Sequence, residues 1–356
     1  MGHSVVAFII VIGVLVFIHE LGHFLAARFF KVGVDVFSLG FGPKIFKTVK
    51  GRTQYCISAV PLGGYVKMVG EEPGKSLPPE EQAISFSNKP LHQKSLIVAA
   101  GPAFNFFLAI VIFYVLYQFS GLTLPTPEIG EVLDDSPAQQ AGLLPGDVIT
   151  VVEGQKIRSF EDVSRIVGSS DGQALDIGVS RKGRNLRFSV VPEKQETVNV
   201  FGETVDRHVV GIRGTGEVFH QPLNPFQALG RSIADTVGLV RLTILSVGKM
   251  ISGSMSADNL GGPIMIAQMA GEQAKAGTVN FVWFIALLSV NLGIINLFPI
   301  PVLDGGHLVF FGIEAVTGKQ VSDRLREKMI QFGAALLVAL MVFVFYNDIL
   351  RIINGG

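Results

Sequence analysis

Val16-Phe17-Ile18-His19-Glu20-Leu21-Gly22-His23-Phe24-Leu25 sets an HExxH motif inside an apolar run that starts at Val5. As a helix, this stretch projects His19 and His23 from one face, about one turn apart, so both imidazoles can reach a single tetrahedral metal ion. Glu20 lies between them, within reach of a water at the same ion. The arrangement suits metal-assisted peptide hydrolysis: zinc acidifies water and polarises a carbonyl, while the carboxylate takes the water's proton and passes it to the leaving nitrogen. The plain alternative is a pair of hydrogen-bonded core histidines. Against it, each ionisable residue at a bilayer centre costs roughly 2–3 kcal/mol or more, so a cluster of them is expected to face a protein interior and serve a purpose.

The 356 residues are 49% hydrophobic and 16% charged, with 29 basic and 29 acidic side chains. That is the composition of a membrane protein with room for a soluble domain. The balanced charge, with basic residues spread through loops, leaves no nucleic-acid footprint. Cys56 is the only cysteine, which excludes an intrachain disulfide and a cysteine-rich metal site. The N-terminus lacks the positive region of a signal peptide, and its apolar run carries the candidate metal site, so this segment is expected to be retained.

Four transmembrane helices are expected. The first, within residues 1–30, exceeds the roughly 20 residues a bilayer requires. Residues 31–94 carry an excess of Lys and Arg that marks a cytoplasmic loop and puts the N-terminus outside. Within that loop, Gly51 to Lys67 is β-branched and aromatic, punctuated by Pro61, Gly63 and Gly64, and predicts a hairpin. With the apolar Phe37 to Pro43 just before it, the hairpin reads as re-entrant or membrane-associated; an ordinary cytoplasmic hairpin is the alternative. Glu71 to Lys89 is polar and reads as a surface linker. The second span, 95–119, contains Gly101-Pro102-Ala103-Phe104-Asn105-Phe106, whose small residues permit close helix packing and whose Asn105 needs an interhelical partner.

Residues 120–224 turn to short β-type runs between Gly, Pro and Asp, which predicts an extracytoplasmic, periplasmic β domain. Ile129-Gly130-Glu131-Val132, Ser136-Pro137-Ala138, Ala141-Gly142-Leu143-Leu144-Pro145-Gly146-Asp147-Val148-Ile149 and Val152-Glu153-Gly154 resemble the bacterial PDZ domain over about 127–192. That resemblance implies a groove in which an extended peptide adds to a strand edge; a module that only packs on the membrane part is the alternative. Residues 225–278 are expected to hold an amphipathic interfacial helix, with Phe226, Leu229, Ile233, Val237, Val240, Ile244, Val247 and Ile251 on one stripe, and a following loop. A core-facing helix would show the same stripe.

The third span, 279–316, is expected to be broken, because Asn296-Leu297-Phe298-Pro299-Ile300-Pro301-Val302-Leu303-Asp304-Gly305-Gly306-His307 holds two prolines that stop a regular helix and can aim an Asp inward. Basic residues from Lys319 to Lys328 mark a second cytoplasmic loop, and a fourth span, 331–353, returns the C-terminus to the periplasm. Both motif segments then lie near the cytoplasmic leaflet. Zinc needs a third protein ligand beside two histidines, and Asp304 is the candidate at that depth.

HExxH near the start and Asn296-xx-Pro299-x-Pro301-x-Leu303-Asp304-Gly305 near the end, flanking a PDZ-like domain, resemble the site-2 protease family of intramembrane zinc metalloproteases, nearest to its sigma-E-regulating bacterial members. The resemblance spans essentially the whole chain. It implies Zn2+ on His19, His23 and Asp304, Glu20 as general base, and Asn296 at the substrate or reaction centre. Gly40-Phe41-Gly42 looks like the family's membrane-associated glycine motif and Gly51 to Lys67, with Tyr65, like its re-entrant hairpin; Pro299 and Pro301 fall in the substrate-side motif. One PDZ domain is found here where well-known members carry a tandem pair. His307, a turn beyond Asp304, is either a fourth ligand or a residue behind the ligands.

A substrate helix hides its peptide bonds in i→i−4 hydrogen bonds and must unwind before it can be cut. The expected activity is therefore zinc endopeptidase cleavage of single-span membrane proteins in regulated intramembrane proteolysis, with strand addition at the hairpin edge. The resemblance implies as partners an anti-sigma factor already trimmed by another protease, remnant signal peptides and the lipid of a bacterial inner membrane. Rival readings are a membrane zinc peptidase acting on non-spanning substrates, and a non-catalytic metal-binding scaffold or transporter.

Overall fold

The computed structural model describes residues 2–71, 77–199, 201–255 and 261–353. The chain divides into a helical unit (1–115, 229–251 and 256–356) and a β-rich unit (116–228 with 252–255).

The helical unit opens with α1 (Gly2–Phe29), apolar on all faces apart from its motif, as a helix surrounded by lipid and protein must be. Strands β1 (Val34–Lys50) and β2 (Thr53–Met68) follow, joined by a turn at Gly51 and Arg52. The hairpin expected from Gly51 to Lys67 is thus corrected: those residues mostly form one strand, and Phe37 to Pro43 belongs to its partner. Phe37, Ser38 and Leu39 pair with Tyr55, Cys56 and Ile57 on one side and with Val66, Tyr65 and Gly64 on the other. The two long strands therefore fold back on themselves, leaving Gly64 to Met68 along an edge. Gly40 and Gly42 permit the fold-back, with φ of 90° and 83°. A Cβ on Gly40 would meet the Val60 and Ser58 carbonyl oxygens at 2.8 and 2.9 Å, so only glycine fits there.

Residues 72–76, part of the expected linker, lie outside the described residues. After the short α2 (Pro79–Gln82), the rest is a strap tied to the sheet. The Gly33 N–H donates to the Ile84 carbonyl at 2.8 Å and the Phe86 N–H to that of Val69 at 2.8 Å. Phe86 is buried with Val34, Phe37, Met68, Ile97 and Phe311. A polar composition concealed the one ring that anchors the segment, so the surface-linker expectation is corrected for its described part. Helix α3 (Leu91–Ser120) starts ahead of the expected residue 95.

The β-rich unit contains β3 (Leu122–Pro125), β4 (Ile129–Val132), α4 (Pro137–Ala141), β5 (Val148–Val152), β6 (Gln155–Lys156), α5 (Phe160–Gly168), β7 (Leu175–Arg181), β8 (Arg184–Val190), β9 (Glu193–Val198), β10 (Thr204–Val209), β11 (Ile212–Gly214) and β12 (Val218–Gln221). Strands β6-β5-β7-β8 form an antiparallel sheet, and β4 pairs with β11. Period-two burial of Leu175, Ile177 and Val179 on β7 meets Val163, Ile166 and Val167 at helical spacing on α5, with Ile129, Leu143, Ile149 and Val210 closing the core. Ser136 caps α4 by accepting from the Gln139 N–H at 3.2 Å, and Gly142 ends it in the left-handed conformation, φ 86°. Asp147, fully buried, accepts from Arg181 Nε and Nη2 at 2.6 and 2.7 Å and from the Leu144 N–H at 2.9 Å. Burial alone would raise its pKa; the Arg181 hydrogen bonds, the Leu144 N–H and the guanidinium charge outweigh it and hold Asp147 below the ordinary carboxylate value.

Helix α6 (Pro225–Ile251) leads back to the helical unit. Its expected apolar stripe faces outward: Ile233, Val237 and Ile244 are exposed while Ser232 and Thr236 are buried. The exposed stripe speaks against the core-facing alternative, because a helix packed on a protein core buries its apolar residues. Helices α7 (Pro263–Ala276), α8 (Thr278–Asn296), α9 (Asp304–Thr317) and α10 (Asp323–Ile353) complete the unit. Asp348 on α10 caps α7, accepting from the N–H groups of Gly262, Ile264 and Met265 at 3.0, 2.9 and 3.1 Å. Ala7, Val11 and Leu15 of α1 pack with Ala270 of α7 and Phe284 and Ile285 of α8. Among the described residues, α1, α3, α8 and α10 are long and apolar enough to cross a bilayer, as expected of a multi-pass membrane protein. The third span breaks at Asn296, where α8 ends, and resumes at Asp304.

Candidate metal centre

His19 Nε2, His23 Nε2 and Asp304 Oδ2 form a nearly equilateral triangle. The histidine nitrogens are 3.3 Å apart, and the carboxylate oxygen is 3.2 Å from His19 and 3.4 Å from His23. Both imidazoles are buried. The i,i+4 spacing on α1 supplies one edge of the triangle; the broken third span supplies its apex.

The break is built by the residues after α8. Leu303 N–H donates to the Ile300 carbonyl at 2.8 Å and Gly306 N–H to that of Leu303 at 2.9 Å. Cβ atoms on Gly305 and Gly306 would collide with the carbonyl oxygens of Leu297, Phe298 and Ile300. Glycines there let the Pro299-Ile300-Pro301 loop fold over the start of α9, which directs the Asp304 side chain to α1. From α10, Gly333 closes on Pro301 and Val302.

Helix α3 supports the histidines from behind. A Cβ on Gly22 of α1 would overlap the Ala100 carbonyl, and one on Gly101 would overlap His23 Nε2. The small residues expected to permit close packing do so at the metal centre itself. His23 Nδ1–H donates to the Ile97 carbonyl at 2.9 Å, and the Asn105 carboxamide lies 3.1 Å from His19 Nδ1. Asn105 thus finds the interhelical partner its position demanded. The contacts of Ile97 and Gly101 with His23 were not read from the sequence; the shared face of 97, 101 and 105 at four-residue spacing was the available signal.

Glu20 is buried on the turn between the ligand candidates. A Cβ on Gly64 would lie 2.8 Å from Val16 Cγ1 and 2.9 Å from Glu20 Cγ, so β2 at Gly64 runs against the motif helix. Tyr65, next along that strand, stacks on Phe41 with ring centroids 6.2 Å apart. Gly40 and Gly42 contact Val60 and shape the sheet. Asn296 is the last residue of α8, and Pro299 and Pro301 lie in the loop that follows it. His307 Nδ1 faces Arg326 Nη2 at 3.4 Å.

The donor set fits zinc. Tetrahedral zinc with bonds of about 2.0–2.1 Å sets its ligand atoms about 3.3–3.4 Å apart, the spacing of the triangle. Asp304 Oδ2 is buried without a hydrogen bond, an atom left over for an ion. Two imidazoles and one carboxylate leave a fourth position open, the pattern of hydrolytic zinc sites.

A buried donor set of this kind among membrane-length helices defines a membrane-embedded zinc hydrolase. The model of peptidase family M50 matches residues 7–340. A protein of Agrobacterium fabrum that carries the name of a zinc metalloprotease is 38% identical over 363 residues, covering 98% of this chain and 96% of that one. One of Campylobacter jejuni named in the same way is 38% identical over 355 residues, with 98% and 94% covered. The regulator of sigma E protease of Haemophilus influenzae is 32% identical over 440 residues, with 98% and 99% covered. The chain belongs to peptidase family M50, the site-2 protease family. It is a zinc metalloendopeptidase with Zn2+ as cofactor, and by family an intramembrane protease.

Proposed function

We propose that His19, His23 and Asp304 hold the zinc, that Glu20 is the general base, and that the enzyme cuts single-span membrane proteins near the cytoplasmic face of a bacterial inner membrane. The observation that carries this reading is the 3.2–3.4 Å triangle of ligand atoms on α1 and α9. Zinc, when bound, acidifies water and polarises the scissile carbonyl. Glu20 takes the water's proton and returns it to the leaving amide nitrogen. Asn296, ending α8, steadies the reaction centre.

The unwound substrate adds as a strand to the Gly64–Met68 edge, beside Tyr65 and shaped by Gly40 and Gly42. The contact of Gly64 with Val16 and Glu20 supports this, because an added strand would run past the base. A groove of about 560 Å³ between α3, α6 and α8, lined by Phe106, Val237 and Ile294 and ending at Leu297 and Phe298, supports a lateral approach from lipid beside the Pro299–Pro301 loop.

The basic loops at 31–94 and 319–328 support a cytoplasmic placement of both, with the termini periplasmic. The β-rich unit is a single periplasmic PDZ domain, whose core draws on Val210 as well as on 127–192. The domain gates substrates by size or binds a newly made C-terminus, and the substrates are a trimmed anti-sigma factor and remnant signal peptides. A PDZ deletion that leaves untrimmed substrates uncut would rule out gating.

The experiment is to compare a tagged single-span substrate with the same sequence lacking its apolar span. Cleavage of the spanning form alone is expected. Equal cleavage of both would favour a membrane peptidase acting on non-spanning substrates.

A further inference from the structure

Helix α3 lays one stripe across the two histidines: Ile97, Gly101 and Asn105, each about a helical turn from the next. At one end, the Ile97 carbonyl lies 2.9 Å from His23 Nδ1. A carbonyl only accepts, so His23 carries its proton on Nδ1 and its Nε2 lone pair is free for a metal. At the other end, the group in the corresponding place is the Asn105 carboxamide, 3.1 Å from His19 Nδ1. Its nitrogen faces the imidazole, while Asn105 Oδ1 is fully buried with no hydrogen-bond partner.

The amide orientation decides what His19 can do. An amide nitrogen only donates. Facing Nδ1, it would force the His19 proton onto Nε2, into the triangle shared with His23 and Asp304, where it would block a metal. Amide oxygen and nitrogen have nearly the same shape, so a half-turn of the carboxamide exchanges them without other movement. Oδ1 then accepts from Nδ1–H, and His19 takes the same proton arrangement as His23. Ser289 Oγ of α8 donates to the Asn105 backbone carbonyl at 2.8 Å, holding this face of α3 in place.

We propose that Asn105 is a positioning residue of the metal centre, whose Oδ1 accepts the His19 Nδ1–H and fixes the tautomer that presents Nε2 to zinc. This rests on the reading of His19, His23 and Asp304 as the zinc ligands. Both histidines then take their tautomer from α3, one from a backbone carbonyl and one from a side-chain carbonyl.

The test is the zinc affinity of the purified full-length protein, by chelator competition, in wild type, Asn105→Asp, Asn105→Leu and His19→Ala. Asp keeps an oxygen acceptor and has no N–H; Leu keeps the volume and has neither. Asn105→Asp is expected to stay within a few-fold of wild type and Asn105→Leu to weaken zinc binding roughly 10–100-fold. Wild-type affinity in Asn105→Leu, or an equal loss in both variants, overturns the proposal. Undiminished zinc binding in His19→Ala would instead overturn the ligand assignment beneath it, whereas loss there with none in Asn105→Leu would sink the Asn105 role alone. Nitrogen NMR of the zinc-loaded wild type decides even if Asn105→Leu fails to fold: His19 protonated at Nδ1 and metal-bound at Nε2 is expected, and the reverse tautomer overturns it.

Discussion

Gly101 of α3 stands so close to His23 of α1 that a methyl group in its place would lie 2.3 Å from the imidazole Nε2, well inside van der Waals contact. The backbone of one helix is thus the wall of the metal centre. Gly101→Ala must push His23 out of the triangle or drive α3 from α1. Overpacking costs of this kind run to about 1–3 kcal/mol, which on the metal site is roughly a five- to hundredfold loss of zinc affinity. Chelator competition checks it, with Gly13→Ala as control, since nothing lies within 4 Å of that position. Equal affinity in the two variants would show that the site tolerates the methyl.

What could be read in the sequence follows from what is local. His19 and His23 declared themselves because helical geometry fixes an i,i+4 pair, and Asp304 because two prolines and a charge pattern set its depth. The stripe on α3 required knowing which face meets α1, a tertiary fact. The sheet escapes a local reading for a similar reason: turn signals at Gly63 and Gly64 are real, but the pairing of Ser38 with both Cys56 and Tyr65 is a long-range register. On α6 the stripe was legible and its direction was not, because period alone does not say whether lipid or protein is the apolar neighbour.

Strand addition at the Gly64–Met68 edge predicts that proline introduced in turn at Tyr65, Val66 and Lys67 lowers cleavage wherever an outward N–H is lost, with zinc content unchanged. A proline removes a ladder donor and cannot be bridged by substrate. Zinc stoichiometry and cleavage of a single-span reporter would be measured together. Normal cleavage at all three positions would dismiss the edge as the docking strand.

Asp147 gives the β-rich unit a pH signature. Folding lowers its pKa, so its stabilising contribution is complete above the ordinary aspartate value of about 3.9 and is lost as pH falls through the lower folded value. Hydrogen exchange at β5 and β7 between pH 6 and 3 should show protection falling in the wild type. Asp147→Asn should be less protected at pH 6 and should flatten that fall. An unchanged slope in the variant would assign the acid sensitivity elsewhere.

Asp348 holds three backbone N–H groups at the start of α7. Asp348→Ala strips a cap worth about 0.5–2 kcal/mol and leaves buried donors that cost about 1–3 kcal/mol each. A thermal scan in detergent should show a destabilised protein, while molecules that remain folded keep their zinc. A midpoint equal to wild type would mean that water replaces the carboxylate.

The most direct test of the central claim is cleavage of a tagged single-span substrate by wild type and Glu20→Gln at matched zinc occupancy. The substitution removes the base and keeps His19, His23 and Asp304. Cleavage that disappears while zinc stays bound is the predicted result. Equal cleavage by both proteins would contradict it, leaving the metal structural or the base elsewhere.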